Sequence, residues 1–452
     1  MRAIPTLKIS ISGVRGVIGD SLTPELLTRF AEAFGTYVGS GRVVVGRDTR
    51  TSGEMVRQAV VAGLLSTGCR IADAGVCPTP TVQLLVRLLR AQGGIAITAS
   101  HNPPEWNALK FLGGDALFLR GARGRELLDV YHQGEFRKAR SSALRSVEHL
   151  PGAIDTHVQA VTGVVGPLPA GRRLRVVIDA CNGAGSVAGP RLLEAFGVDV
   201  IAINDTPDGS FPRPAEPTPA NLTALCEAVR RHGADVGFAQ DMDADRLAIV
   251  SERGEAIGEE RTLVFAVEDV LSRTAGPVVA NLSTTHALEP VAARHGCAVF
   301  RTPVGEANVT EGMQRHKAVI GGEGSGGVIF PRINFCRDSL VGMGLVLRRL
   351  ATTGRSVSEL VADLPPLEIV KIQFPFPSQR LSEILRRARR EYADHPQDTR
   401  DGVKVMLPDA WFLLRGSNTE PIMRVVAEAP SEDVAARLAG EVRDRIQGWL
   451  AG

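Results

Sequence analysis

Asp241, Asp243 and Asp245 stand at alternate positions in DMDADR, with Arg246 directly after them. Carboxylates so spaced repel one another, and neither a strand nor a turn rewards the repulsion. A hard divalent cation such as Mg²⁺ removes it and prefers oxygen ligands. A solvated acidic turn would show the same pattern. An EF-hand is disfavoured because Arg246 stands at the sixth position, where that loop needs glycine, although Glu252 falls at the twelfth. A D-x-D-x-[TV] phosphatase signature also fits poorly, since Asp245 occupies the Thr/Val position.

A second stretch, ITASHNPPEWNALKF, runs from a β-rich segment into a loop carrying Ser100, His101 and Lys110. A hydroxyl at the end of a buried strand is held where α/β folds collect their sites. His101 and Lys110 are groups for proton transfer or phosphate contact. G-x-S-x-G is absent around Ser100, so a hydrolase nucleophile elbow is not supported. In GGEGSGG, glycines allow close backbone approach to a ligand, and Glu323 and Ser325 offer groups for hydroxyls. No G-x-x-x-x-G-K-[ST] loop accompanies them. In RGSNTEP, Arg415, Ser417, Asn418 and Thr419 concentrate donors suited to a phosphate dianion. Arg15 in SGVRG and Arg47 in GRDTRTSG are further cations.

The elements that must carry these loops alternate in type. VVVGR reads as a buried strand, followed by a helix with Val56, Val60 and Leu64 at helical spacing and Gly68 as its stop. Thr23 and Pro24 read as a helix cap and first helical position. The alternation restarts at RRLRVVIDACNGAG and again near GPVVANLSTT. The expected fold is therefore α/β: three tandem α/β domains with mixed sheets, plus a smaller C-terminal α+β domain. The expected spans are 1–150, 151–255, 256–367 and 368–452, so the serine, metal, sugar and phosphate loops fall one to each domain.

A chain of 452 residues with a formal charge of +2 gives no electrostatic case for nucleic acid. The six cysteines form no C-x-x-C pair, which predicts reduced thiols in a cytoplasmic protein. No secretion signal and no membrane span are expected, because no apolar run is long enough.

Taken together and in order, GVRG, GRDTRTSG, TASHNP, DMDADR, GEGSGG and RGSNTEP resemble the fingerprints of the α-D-phosphohexomutase superfamily over nearly the whole chain. PDGSFPRPAEPTPANL is similar to a further family stretch. The resemblance implies that Ser100 carries a phosphoryl group and that Ser100, through its phosphate, joins Asp241, Asp243 and Asp245 around one Mg²⁺. It implies charge or proton-transfer roles for Lys110, Arg15, His101 and Arg246. Glu323 and Ser325 would bind sugar hydroxyls, and Arg415, Ser417, Asn418 and Thr419 the distant phosphate. The implied reaction moves phosphate between the 6- and 1-positions of a hexose or hexosamine phosphate, with a hexose 1,6-bisphosphate as intermediate and activator. WNALK, GEGSGG and TPVGEANV resemble the phosphoglucosamine mutase branch. Glucose- or mannose-phosphate interconversion is the alternative, and a metal-dependent phosphatase a further one. A monomer or homodimer is expected. Three departures stand out: Gly327 where many relatives have histidine, and Met242 and Ala108 where they have glycine.

Overall fold

The structure is a computed structural model and describes residues 6–10, 13–417 and 421–451. β1 (Lys8–Ser10) and β2 (Gly13–Val17) lead into α1 (Pro24–Tyr37). Thr23 caps α1, its side chain accepting from the Leu26 amide at 3.3 Å, and Pro24 opens the first turn. Then follow β3 (Arg42–Arg47), α2 (Gly53–Ser66), β4 (Arg70–Val76), α3 (Thr79–Leu88), β5 (Gly93–Ile97), β6 (Trp106–Gly113), α4 (Gly121–Gln133) and β7 (Val147–His149). They build a seven-stranded sheet in the order β1-β2-β6-β5-β3-β4-β7. β5, β3, β4 and β7 are parallel; β6, β2 and β1 add antiparallel strands at one side. Val56, Val60 and Leu64 are buried, as their spacing requires, in a core centred on Phe30, Phe34 and Phe111. The rings of Phe34 and Phe111 stack with centroids 5.1 Å apart.

The second sheet is built from α5 (Ala153–Val165), β8 (Arg175–Asp179), α6 (Gly185–Ala195), β9 (Asp199–Ile203), α7 (Thr223–His232), β10 (Val236–Gln240) and β11 (Leu247–Ser251). Its order is β11-β10-β8-β9, parallel except for the β10–β11 hairpin. The hairpin connection is DMDADR, so the aspartates sit at the C-terminal end of a central, fully buried strand.

α8 (Glu260–Leu271), β12 (Val278–Asn281), α9 (Leu288–Arg294), β13 (Val299–Thr302), α10 (Glu306–His316) and β14 (Ile320–Glu323) come next, with β12 parallel to both β13 and β14. β15 (Gly327–Ile329), α11 (Ser339–Thr353) and α12 (Val357–Ala362) follow. The last module differs, as expected. β16 (Glu368–Pro375), α13 (Leu381–Glu391), β17 (Gln397–Asp398), β18 (Val403–Met406), β19 (Trp411–Gly416), β20 (Ile422–Ala429) and α14 (Glu432–Ala451) form an antiparallel sheet ordered β16-β20-β19-β18-β17, with its helices.

The chain divides into two compact units, Met1–Asp269 with Ser325–Val361, and Val270–Gly324 with Ala362–Gly452. Among the described residues no helix is long and apolar enough to cross a membrane. All six cysteines are free thiols, four of them buried.

Candidate active site

In the first unit, the loop after β5 places Ser100 in the left-handed region, at φ 49°. A residue other than glycine is costly there and must be held by its surroundings. The Ser100 amide donates to Thr98 Oγ1 at 3.0 Å, and its hydroxyl donates to Asp241 Oδ2 at 3.3 Å. Arg50, fully buried, supplies most of the restraint. Its guanidinium donates to the carbonyls of Ser100 (2.7 Å), Asn102 (2.7 Å), Pro103 (2.5 Å) and Trp106 (2.9 Å). Its Nε donates to Asp48 Oδ2 at 3.1 Å. Burial pushes the Asp48 carboxyl above its usual range, against the pull of Arg50. One buried cation thus shapes the whole turn through main-chain atoms.

The three aspartates converge as well. One ligand oxygen from each of Asp241, Asp243 and Asp245 lies within 4.8 Å of the others, and all three residues are buried. The loop folds on itself because Asp241 Oδ1 accepts from the Asp245 and Arg246 amides, at 3.1 and 3.2 Å. Burial, then repulsion from Asp245 and Asp243, drives the Asp241 carboxyl well above its usual range. Asp243 goes the other way. Burial opposes its charge, but Lys110 Nζ at 2.8 Å and Thr79 Oγ1 at 2.8 Å outweigh that and hold it below the usual range. Asp243 Oδ1 and Asp245 Oδ1 are buried without a hydrogen-bond partner. Orphaned carboxylate oxygens in a buried like-charge triplet fit a hard divalent cation.

Cations surround this cluster. Lys110 lies on β6 and pairs with Asp243; burial opposes its charge, but Asp243 and Asp245 raise its pKa on balance. Arg246 bonds Glu216 Oε1 at 2.9 Å and contacts His101 Nδ1 at 3.4 Å. His101 is exposed at its rim. Even so, desolvation of the ring by the protein around it, then repulsion from Arg246, pushes its pKa down to about 3. The ring is therefore neutral near neutral pH. Arg15 reaches the same loop through Asn102 Oδ1 at 3.4 Å.

Gly327 explains one departure from the family pattern. A Cβ there would lie 2.3 Å from Cδ of Arg337, whose guanidinium donates to Asp245 Oδ2 at 2.6 Å. The missing side chain leaves room for an arginine aimed at the aspartates. Met242 explains another: it is fully buried and packs with Cys181 and Ala215.

In the second unit, Glu323 is buried, and its Oε1 accepts from Asn281 Nδ2 (2.8 Å) and the Gly305 amide (3.0 Å). Arg415 lies on β19 with Nε 3.3 Å from Asp401 Oδ2, and the Ser417 amide donates to the Ile422 carbonyl at 3.0 Å. Asn418 and Thr419 lie outside the described residues. Ser325 belongs to the first unit, half-buried in the turn before β15. The structure thus brings Ser100, His101, Lys110, Arg15, Arg246 and the aspartates together, and places Glu323 and Arg415 in the other unit. Sequence reasoning passed over Arg50, Asp48, Thr79 and Arg337. GRDTRTSG holds the signal for the first two, but its first arginine, Arg47, contacts Glu54 and the Asp48 carbonyl instead. Nothing local in PTPTVQ or CRDSL marks Thr79 or Arg337.

Comparison with known proteins gives a consistent answer. Four family models, described as phosphoglucomutase/phosphomannomutase alpha/beta/alpha domains I, II and III and the C-terminal domain, match residues 7–138, 156–254, 259–367 and 373–445. A phosphoglucomutase/phosphomannomutase of Thermococcus kodakarensis is 38% identical over 94% of each chain. A probable phosphoglucosamine mutase of Methanopyrus kandleri is 36% identical over 96% of this chain and 97% of its own. A phosphopentomutase of Thermococcus kodakarensis is 37% identical over 93% of each. Among solved structures, a phosphoglucomutase/phosphomannomutase family protein from Burkholderia thailandensis superposes with a TM-score of 0.85 at 28% identity, covering 99% of this chain and 97% of its own.

Proposed function

Because this chain belongs to the phosphoglucomutase/phosphomannomutase family, we propose that it is a mutase carrying phosphate on Ser100 between two positions of a sugar. The observation that carries this reading is the Ser100 hydroxyl, 3.3 Å from Asp241 within a buried aspartate triplet that has two unpartnered oxygens. Asp241, Asp243 and Asp245 would hold Mg²⁺, which when bound neutralises charge on the transferring phosphoryl group.

The chain's own residues do the rest. In the first half-reaction the Ser100 Oγ–P bond breaks and a bond from phosphorus to a sugar hydroxyl oxygen forms. The hydroxyl's proton is transferred within the site and ends on Ser100 Oγ, giving a sugar bisphosphate. The second half-reaction reverses these bonds at the other phosphate and restores phosphoserine. Arg50 fixes the serine in line by gripping its turn. Lys110, held charged by Asp243, and Arg246 stabilise the phosphoryl oxygens. Arg15 and neutral His101 border the same turn and contribute orientation. Glu323 and Ser325 would contact sugar hydroxyls, and Arg415, Ser417, Asn418 and Thr419 would hold the phosphate that is not reacting.

For the substrate, glucosamine phosphate is the first reading. It is supported by WNALK and TPVGEANV and by the relative named a probable phosphoglucosamine mutase. Glucose or mannose phosphate is the second, supported by the 38% identical relative. The test is a turnover panel of glucosamine, glucose, mannose and pentose phosphates, each primed with its bisphosphate, alongside mass spectrometry of the Ser100 peptide. We expect phosphoserine at 100, isomerisation of glucosamine phosphate, and near-total loss in Ser100→Ala. Net phosphate release without isomerisation, or full activity in Ser100→Ala, would overturn the mechanism.

A further inference from the structure

The first module has a second built concavity, at the opposite end of its sheet from Ser100. Gln92 lines it and directly precedes β5, whereas Ser100 lies beyond the other end of that strand. Five residues of strand separate the two ends by about 17 Å. The cavity has a volume of about 730 Å³. Its floor comes from the turns after α1 and α2, and its wall from the segment between α4 and β7.

That segment is fastened like a strap. The Arg137 amide donates to Thr36 Oγ1 at 3.0 Å, and the Ala139 amide donates to the Ser66 carbonyl at 2.8 Å. Gly68, at φ +86°, permits the approach, since a Cβ there would sit 3.3 Å from that of Ala139. The strap therefore has a set course, and it carries charge. Arg42, Arg70, Arg137, Lys138, Arg140 and Arg145 line the cavity with Glu148 as the lone acid, six positive against one negative. The whole chain sums to only +2, so this concentration is local. Arg42 pairs with Glu148, and Lys138 with Glu32. Among the described residues no acidic partner stands against Arg70, Arg137, Arg140 or Arg145.

We propose that this cavity binds a small polyphosphorylated anion, such as a nucleoside triphosphate or an inorganic oligophosphate. Four unneutralised guanidinium groups from two segments exceed what one phosphate dianion can engage, since each fork takes two oxygens. The volume suits a small molecule. No aromatic side chain lines the concavity, which distinguishes it from a nucleic-acid track. Nothing in the phosphate-transfer chemistry at Ser100 calls for this site.

The test is calorimetric titration of the full chain, in metal-free buffer of low ionic strength, with tripolyphosphate, ATP and inorganic phosphate. We expect one site per chain for the first two, at least about tenfold tighter than for phosphate. ATP above tripolyphosphate would indicate a nucleotide, and the reverse an inorganic chain. Ser100→Ala should keep the binding, and the pair Arg140→Glu with Arg145→Glu should weaken it by at least about tenfold. If that pair fails to fold, Arg70→Gln with Arg137→Gln serves in its place. Equal affinity for phosphate, no saturable binding, loss in Ser100→Ala, or indifference to the arginine changes would each overturn the proposal.

Discussion

Replacing Arg50 with lysine tests whether the serine turn is shaped by one buried cation. Arg50 serves five acceptors: four carbonyls between Ser100 and Trp106, and the Asp48 carboxylate. An ammonium has three donors, so at least two acceptors lose theirs. Each buried acceptor left alone costs about 1–3 kcal/mol, which sets a floor of about 2 kcal/mol. The turn can relieve that cost by opening to water, because it is a loop and its neighbours are strands. A floor of about 2 kcal/mol corresponds to roughly thirtyfold in the opening equilibrium. A chain of several modules does not unfold in one step, so local exchange is a sharper readout than a melting curve. The amides of Asn102 and Trp106, bonded to the Ala99 and Pro103 carbonyls, are the reporters. Hydrogen exchange over the peptide spanning them should accelerate at least about thirtyfold in Arg50→Lys. Exchange within about threefold of wild type would refute the reasoning.

Other perturbations follow from the same geometry. Arg337→Met removes a competing positive charge from Asp245, and should raise Mg²⁺ affinity by roughly tenfold in calorimetric titration while turnover falls. Lys404 in the second unit is buried and donates to the Leu282 carbonyl at 2.7 Å, with His286 Nε2 at 2.9 Å. Burial, then repulsion from Arg301, lowers its pKa from 10.5 to about 7. Between those values the unfolded chain holds the proton and the folded one does not, so stability of this unit should rise with pH across that window, by roughly 5 kcal/mol at most. Denaturant titrations from pH 7 to 10 should lose that slope in Lys404→Met. His157 is buried between Thr81 Oγ1 and Asp338 Oδ2, each at 2.8 Å. His157→Ala should lower the unfolding temperature of the first unit by about 2–4 °C, and an unchanged transition would exclude a structural role.

The fold was largely legible because its signals are local. Valine runs, Val56-Val60-Leu64 spacing and the Thr23-Pro24 cap each belong to one element, and the structure realises them. The aspartate triplet was equally visible, since its chemistry is written in five consecutive residues. What escaped was whatever depends on tertiary proximity. Arg337 acts across 92 residues on Asp245, and Thr79 across 164 on Asp243. WNALK, a clue to the substrate branch in the sequence, shows a structural use for its asparagine: Asn107 is buried and donates to Ser52 Oγ at 2.9 Å. Glu216, within the proline-rich stretch, earned no role from sequence yet anchors Arg246.

The split origin of the site also sets an order of events at the ribosome. Asp48, Arg50 and the turn through Trp106 emerge together, so the serine's housing can close as soon as the first sheet has been synthesised. Asp241 comes 141 residues after Ser100. At about 5–20 residues per second that is a delay of roughly 7 to 28 s. For the part of it that follows completion of the first sheet at His149, the nascent serine turn is shaped but lacks its acidic counterpart, and chemistry that depends on the aspartates must wait until the second sheet has joined.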